Sequence, residues 1–135
     1  MANYCRSPVA EILLKNKYKD KYEFFSAGIS PISMANMDPR SLEFLKENNV
    51  DHVIHTPKKI NSRMLNYFDK ILAVDLYVLN KLNLAYPKYR NKFTLLSLQF
   101  NDLSIIDPYK FTKDEYVKIM NNIKHISEKI NLEEV

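Results

Sequence analysis

Apolar residues along this chain switch between helical spacing and short dense runs, so helices and strands are expected to alternate. Val9, Ala10, Leu13, Leu14 and Tyr18 form one helical stripe. Ser7-Pro8 ahead of it reads as an N-cap with proline at the first helical position, predicting a helix to Lys17 or Tyr18. Glu23 to Ala27, closed by Gly28, has the composition of a strand. Asp38-Pro39 opens a second helix that turns Leu42 and Leu45 inward and ends near Asn48-Asn49, and a shorter helix is expected over Ser62 to Tyr67. Asp69 to Val74 is apolar and bounded, as a buried parallel strand is. Leu76, Leu79, Leu82 and Leu84 predict a helix broken by Pro87, and Phe93 to Leu98 a further strand. Tyr116, Ile119, Met120, Ile123, Ile126 and Ile130 lie on one face of a final helix.

Three strands with helices between them imply a single α/β domain over residues 1–135, its parallel sheet covered on both faces. Such a fold normally begins with a strand, whereas the first helix here has only a six-residue entry, Met1 to Arg6, so a strand is expected to precede it. With 46% apolar and 27% charged residues the chain reads as folded rather than disordered. No apolar run reaches bilayer-spanning length and no leader is evident, so no membrane is expected and the cytoplasm is the expected compartment. One cysteine leaves no internal disulfide or metal cluster, and no cofactor is expected. A net charge of +4, carried by scattered lysines, reads as solvated surface with a weak preference for anions, and no nucleic acid is expected as a partner.

The chemistry is concentrated at the start. The run Met1-Ala2-Asn3-Tyr4-Cys5-Arg6-Ser7-Pro8-Val9-Ala10-Glu11 places backbone N–H donors and an arginine at a helix N-terminus, where exposed donors and the helix dipole bind oxyanions. It resembles the signature C-x-G-N-x-C-R-S-P-x-A-E of the low-molecular-weight tyrosine phosphatases, with Ala2 where glycine is usual. Four further segments resemble that family in order: Ser26-Ala27-Gly28, Asp38-Pro39-Arg40, His55 three residues before Lys58, and Asp107-Pro108-Tyr109. Asp75, after its strand, matches as well and is read as structural rather than catalytic.

The resemblance implies a flavodoxin-like three-layer parallel sheet, order 2-1-3-4, with the first strand absent from these residues. Removing that interior strand would leave two neighbours unpaired. It also implies hydrolysis of phosphotyrosine through a phosphocysteine intermediate, with Arg6 and Asp107 as catalytic residues. Asn3, Tyr4, Cys5, Ser7 and His55 would support the phosphate loop, and Tyr109 would line the substrate rim. Asn3 reads as a loop brace, because its side chain bonds local backbone and tolerates a left-handed conformation; His55 reads equally as a brace or as a surface residue. Met34 and Met37 fall where the family's variable specificity loop would lie, although scattered methionines are usually packing. The expected partners are a phosphotyrosine protein or a small aryl phosphate, and phosphate-like anions.

The nucleophile is the difficulty. The family's first cysteine would stand one residue before Met1. Cys5 does not replace it, because a C-x-x-x-x-x-R loop needs arginine six residues on, and Glu11 stands there. The expectation is therefore a phosphatase domain truncated just after its nucleophile and inactive as given. The alternative is a non-catalytic phosphate- or phosphotyrosine-binding module; redox signalling through Cys5 is the weakest reading.

Overall fold

The computed structural model describes residues 2–30, 36–51, 53–101 and 104–135. Met34 lies outside them. The elements are α1 (Arg6–Tyr18), α2 (Pro39–Glu47), α3 (Ser62–Tyr67), β1 (Ile71–Ala73), α4 (Leu76–Ala85), β2 (Phe93–Leu95) and α5 (Lys113–Lys129), joined by loops and short 3₁₀ turns. No described helix is long and apolar enough to cross a membrane.

Side chains from the helices' polar starts explain most of the boundaries. Asp38, Asn61 and Asp75 cap α2, α3 and α4 by accepting from the backbone N–H of Arg40, Met64 and Val78. Thr112 accepts from the N–H of Glu115 at the start of α5, the spacing of a capping box. Because that first turn is polar, α5 begins at Lys113, ahead of the apolar stripe that announces it. α1 departs from expectation at its start. It begins at Arg6, its N-cap is Cys5 without a side-chain bond, and Ser7 lies inside the first turn. Pro8 is still tolerated there, since the N–H groups of a first helical turn have no intrahelical partner.

β1 and β2 pair in parallel, Ile71 with Phe93, Leu72 with Thr94 and Ala73 with Leu95. The two strands are buried on both faces. Leu72 and Leu96 pack into the larger cluster, built from α1, α2 and α5 around Val9, Phe44, Tyr116 and Ile123. Ile71, Ala73 and Leu95 pack into a smaller cluster with Leu82 of α4. Alternation of side chains across a strand thus places helices on opposite faces, an α/β arrangement.

The four-stranded order is not reproduced among the described residues. Glu23 to Ala27 forms no strand and has no ladder; an isolated bridge nearby joins Gly28 to Lys59 in parallel. Gly28 N–H donates to the Lys58 carbonyl at 2.7 Å, and Ile60 N–H to the Gly28 carbonyl at 2.8 Å. Between residues 22–29 and residues 69–74 lies a groove of about 630 Å³, floored by Ala10 and Leu14 of α1. A strand needs a partner edge to be a strand, and the edges on the two sides of this groove do not meet. Phe93 to Leu98 is also shorter than expected, because Leu98 turns into a 3₁₀ segment after Ser97.

Candidate active site

The loop before α1 is held by Asn3. Its φ is 59°, the left-handed region that asparagine tolerates better than most residues. The side chain is buried and fully engaged: Nδ2 donates to Ser7 Oγ at 3.0 Å and Ser26 Oγ at 2.9 Å, while Oδ1 accepts from Lys58 N–H at 3.0 Å. His55 reaches the same residue from the opposite side, with Nε2 at 3.0 Å from the Asn3 carbonyl. A carbonyl only accepts, so Nε2 carries the proton. Burial lowers the His55 pKa, the Asn3 bond opposes that shift, and the net direction favours the neutral ring.

Arg6 is 3% exposed and points to the C-terminal end of β1. Nη1 donates to Asp75 Oδ2 at 2.8 Å and to the Ile105 carbonyl at 2.5 Å, and Nη2 lies 3.9 Å from Asp107 Oδ2. Asp75 therefore both caps α4 and orients the guanidinium. Burial alone would raise its pKa, but the Val78 N–H and Arg6 outweigh it and hold the carboxyl below its ordinary value. Asp107 is half exposed, and its Oδ1 accepts from the Tyr109 N–H at 3.2 Å. Tyr109 meets Tyr4 edge to face at 6.0 Å between centroids, so the two rings wall one side of the opening.

Cys5 faces away from this opening. Its thiol is buried and donates to Asp38 Oδ2 at 3.8 Å. Burial, joined by the negative charges of Asp38 and Asp107, pushes the thiol pKa up to about 11. It is protonated at neutral pH.

Asp38 leads to an arrangement in a segment that the sequence marked as a helix start and as a family match, without a role for its side chains. Arg40 grips Asp38 with two nitrogens, Nε at 3.0 Å and Nη2 at 2.8 Å. The same guanidinium donates to the carbonyls of Phe111 at 2.9 Å and Tyr109 at 2.8 Å, and lies 4.1 Å from the Tyr116 ring centroid. Asp38 N–H in turn donates to the Tyr4 carbonyl at 2.9 Å, and Ser41 Oγ to the Cys5 carbonyl at 3.0 Å. Arg40 thus ties the loop of Asp107 to the loop of Arg6. Its signals in the sequence were the Asp38-Pro39-Arg40 family segment and an arginine two residues after a capping aspartate, a spacing that permits a bidentate pair at a helix start.

Asn3, Tyr4, Arg6, Ser7, His55, Asp107 and Tyr109 are therefore gathered by contact around the N-terminus of α1. Met37, by contrast, is 2% exposed and belongs to the core.

Known proteins resemble this chain in sequence and in fold. Low-molecular-weight protein-tyrosine-phosphatase Wzb of Escherichia coli K12 is 27% identical over 119 residues, 88% of this chain and 80% of that protein. The low-molecular-weight protein tyrosine phosphatase of T. tengcongensis superposes with a TM-score of 0.89 at 26% identity, covering 100% of this chain and 95% of that one. Vibrio vulnificus Wzb, solved in complex with benzylphosphonate, superposes with a TM-score of 0.86 at 26% identity, covering 95% and 90%. The family described as low molecular weight phosphotyrosine protein phosphatase matches residues 1–135, and the chain belongs to it.

Proposed function

We propose that these residues form the phosphate-binding and proton-transfer part of a phosphotyrosine phosphatase site, and that its attacking thiolate is not Cys5. The observation that carries this reading is the approach of Arg6 and Asp107, 3.9 Å apart, beside the loop that opens α1. Loop N–H groups and the Arg6 fork hold the non-bridging phosphate oxygens. Tyr4 and Tyr109 receive the aryl ring, a role supported by their edge-to-face wall and by the benzylphosphonate bound to the Vibrio relative. Asp107, exposed enough to meet substrate, protonates the phenolate oxygen as the P–O bond breaks and the S–P bond forms. It then takes a proton from the water that releases phosphate from sulfur. Asn3, Ser7 and His55 keep the loop in its anion-binding shape.

Cys5 is unsuited to the attack on three counts: it is buried, it is protonated at neutral pH, and it bonds to a carboxylate. A polypeptide of these 135 residues binds phosphate without turning over p-nitrophenyl phosphate, whereas a form extended by a strand ending in cysteine directly before Met1 is active. Assaying both forms, each with Cys5→Ser, tests this. Turnover by the 135 residues that is lost on Cys5→Ser returns the nucleophile to Cys5. The second reading, a phosphotyrosine-binding module, is favoured by the same protonated thiol. It prevails if the extended form binds phosphotyrosine and stays inert.

A further inference from the structure

Of the ten large apolar side chains that stand exposed among the described residues, Leu76, Tyr77, Ile106, Tyr109 and Phe111 all lie within four residues of Asp75 or Asp107. Tyr109 belongs to the wall that meets the aryl ring. Leu76, Tyr77 and Ile106 do not, and the backbone brings them together. Ile105 N–H donates to the Val74 carbonyl at 2.8 Å, and Leu76 N–H donates to Ser104 Oγ at 3.0 Å. Residues 104–106 therefore run beside the end of β1 and the start of α4. Ile105 is buried in the core, whereas Ile106 after it is 61% exposed and Tyr77 is 53% exposed. Arg6 Nη1 bonds both Asp75 and the Ile105 carbonyl, so this patch starts where the phosphate fork is anchored. Single exposed apolar side chains are ordinary, but three gathered beside the opening of a site form the kind of patch that meets a partner.

We infer that Leu76, Tyr77 and Ile106 form a subsite for an apolar side chain that adjoins the phosphotyrosine in a polypeptide substrate. The inference rests on the phosphotyrosine reading above and names its substrate class, a phosphorylated protein segment rather than a free aryl phosphate. A free aryl phosphate ends at its ring and has nothing to place on Leu76 or Tyr77. A polypeptide continues past the ring, with its next residue one Cα step of about 3.8 Å away. Charge selects the kind of neighbour. An acidic side chain would face the half-exposed carboxylate of Asp107, and the arginines that could offset it are engaged. Arg6 is held on Asp75 and the Ile105 carbonyl, and Arg40 on Asp38 and the carbonyls of Tyr109 and Phe111. A basic side chain would approach Lys81, whose ammonium lies 5.4 Å from the Tyr77 ring centroid. An apolar side chain meets neither repulsion and removes exposed apolar surface from water.

The test measures binding of synthetic phosphotyrosine peptides to the 135-residue chain by calorimetry, with inorganic phosphate as the reference. One peptide carries leucine on both sides of the phosphotyrosine, and its copies carry serine or glutamate there. The leucine peptide should bind at least about fivefold more tightly than the serine copy, an advantage that half-burying one leucine side chain supplies. The glutamate copy should bind most weakly. Tyr77→Ser should remove most of the leucine advantage while leaving affinity for inorganic phosphate and for the serine copy unchanged. Ile106→Thr, which keeps a β-branched residue beside Ile105, should act in the same direction. Equal binding of the three peptides, or a leucine advantage that survives both substitutions, would overturn the inference and leave the phosphotyrosine reading standing. Failure of the unsubstituted chain to bind phosphate or any of the peptides would strike that reading itself, and the subsite with it. A dimer of the chain in sedimentation that Tyr77→Ser dissociates would also overturn the inference, because a second copy would then cover the patch.

Discussion

The two sides of residues 2–7 treat their polar groups in opposite ways. Around the loop itself, buried Asn3, Arg6, Asp38, Ser41 and His55 all have hydrogen-bond partners, several of them from distant parts of the chain. Toward the groove, residues 23–27 and the edge of β1 present backbone with no strand between them among the described residues. Phe25 and Tyr67 stand half exposed or more near its walls. The contrast teaches that an anion site can be pre-organised by side chains even where the adjoining sheet is open. The loop is held by Asn3, His55 and Arg40, and none of these bonds needs a ladder across the groove.

Substitution at Arg6 should break the ordered side most severely. Arg6→Ala removes the partner of a largely buried Asp75 and should cost about 3 kcal/mol in urea denaturation, the low end for a broken buried pair because Asp75 keeps some solvent contact. Affinity for inorganic phosphate should fall at least about tenfold, since a charge-assisted fork is lost. Arg6→Lys keeps the charge and loses the fork, so it should recover stability better than binding. Equal recovery of both would remove the fork from phosphate binding.

Asn3 comes next. Asn3→Ala leaves the Lys58 N–H without its partner, leaves Ser26 bonded to Glu11 alone, and places alanine at φ 59°, for a cost of about 2–3 kcal/mol. Asn3→Gly loses the same bonds without the backbone strain, and should be about 1 kcal/mol less harmful. If the two variants unfold at the same denaturant concentration, the left-handed conformation contributes nothing to the loop.

Acid should act on the ordered side in two stages. His55 has its folded pKa lowered from 6.5, so the unfolded chain binds the extra proton. Its contribution is complete above about pH 6.5 and is lost as pH falls through the window below it. Asp38 and Asp75 are also lowered, by bonds that outweigh the opposing effect of burial, and their contribution is lost only as pH falls below about 3.8. His55→Gln retains an N–H donor for the Asn3 carbonyl but does not titrate, so it should flatten the first stage and leave the second. An unchanged slope near pH 6 would place the first stage elsewhere.

How much of this was legible in sequence follows the same division. The stripe of Tyr116, Met120, Ile123 and Ile126 announced α5 because a helix carries its pattern and its hydrogen bonds within itself. The gathering of Arg6, Asp107 and Tyr109 was legible through motif order, which encodes a shared loop cluster. Glu23 to Ala27 was misjudged as a strand because strand character depends on neighbours that composition does not report. The placing of Ser7 as N-cap failed because Asn3 and Arg6 organise the turn before it. Arg40 was noted in a motif but given no role, because its partners, the carbonyls of Tyr109 and Phe111, are distant in sequence and have no side-chain signature.

The smallest effect should come from the groove wall. Phe25 is 50% exposed; its ring lies 5.7 Å from Phe68, 4.8 Å from the Lys58 ammonium and 5.9 Å from that of Lys15, and none of these contacts is deeply buried. Phe25→Ala removes one exposed aromatic pair and two exposed cation–π contacts, together about 1–2 kcal/mol. Phosphate affinity should be unchanged, because the braces of the loop pass through Ser26 and the Lys58 backbone rather than through the Phe25 ring. Calorimetric titration of Phe25→Ala with phosphate separates the two regions directly. A loss of phosphate affinity larger than the loss of stability would mean that the groove wall holds the anion loop, and the independence of the two sides would fail.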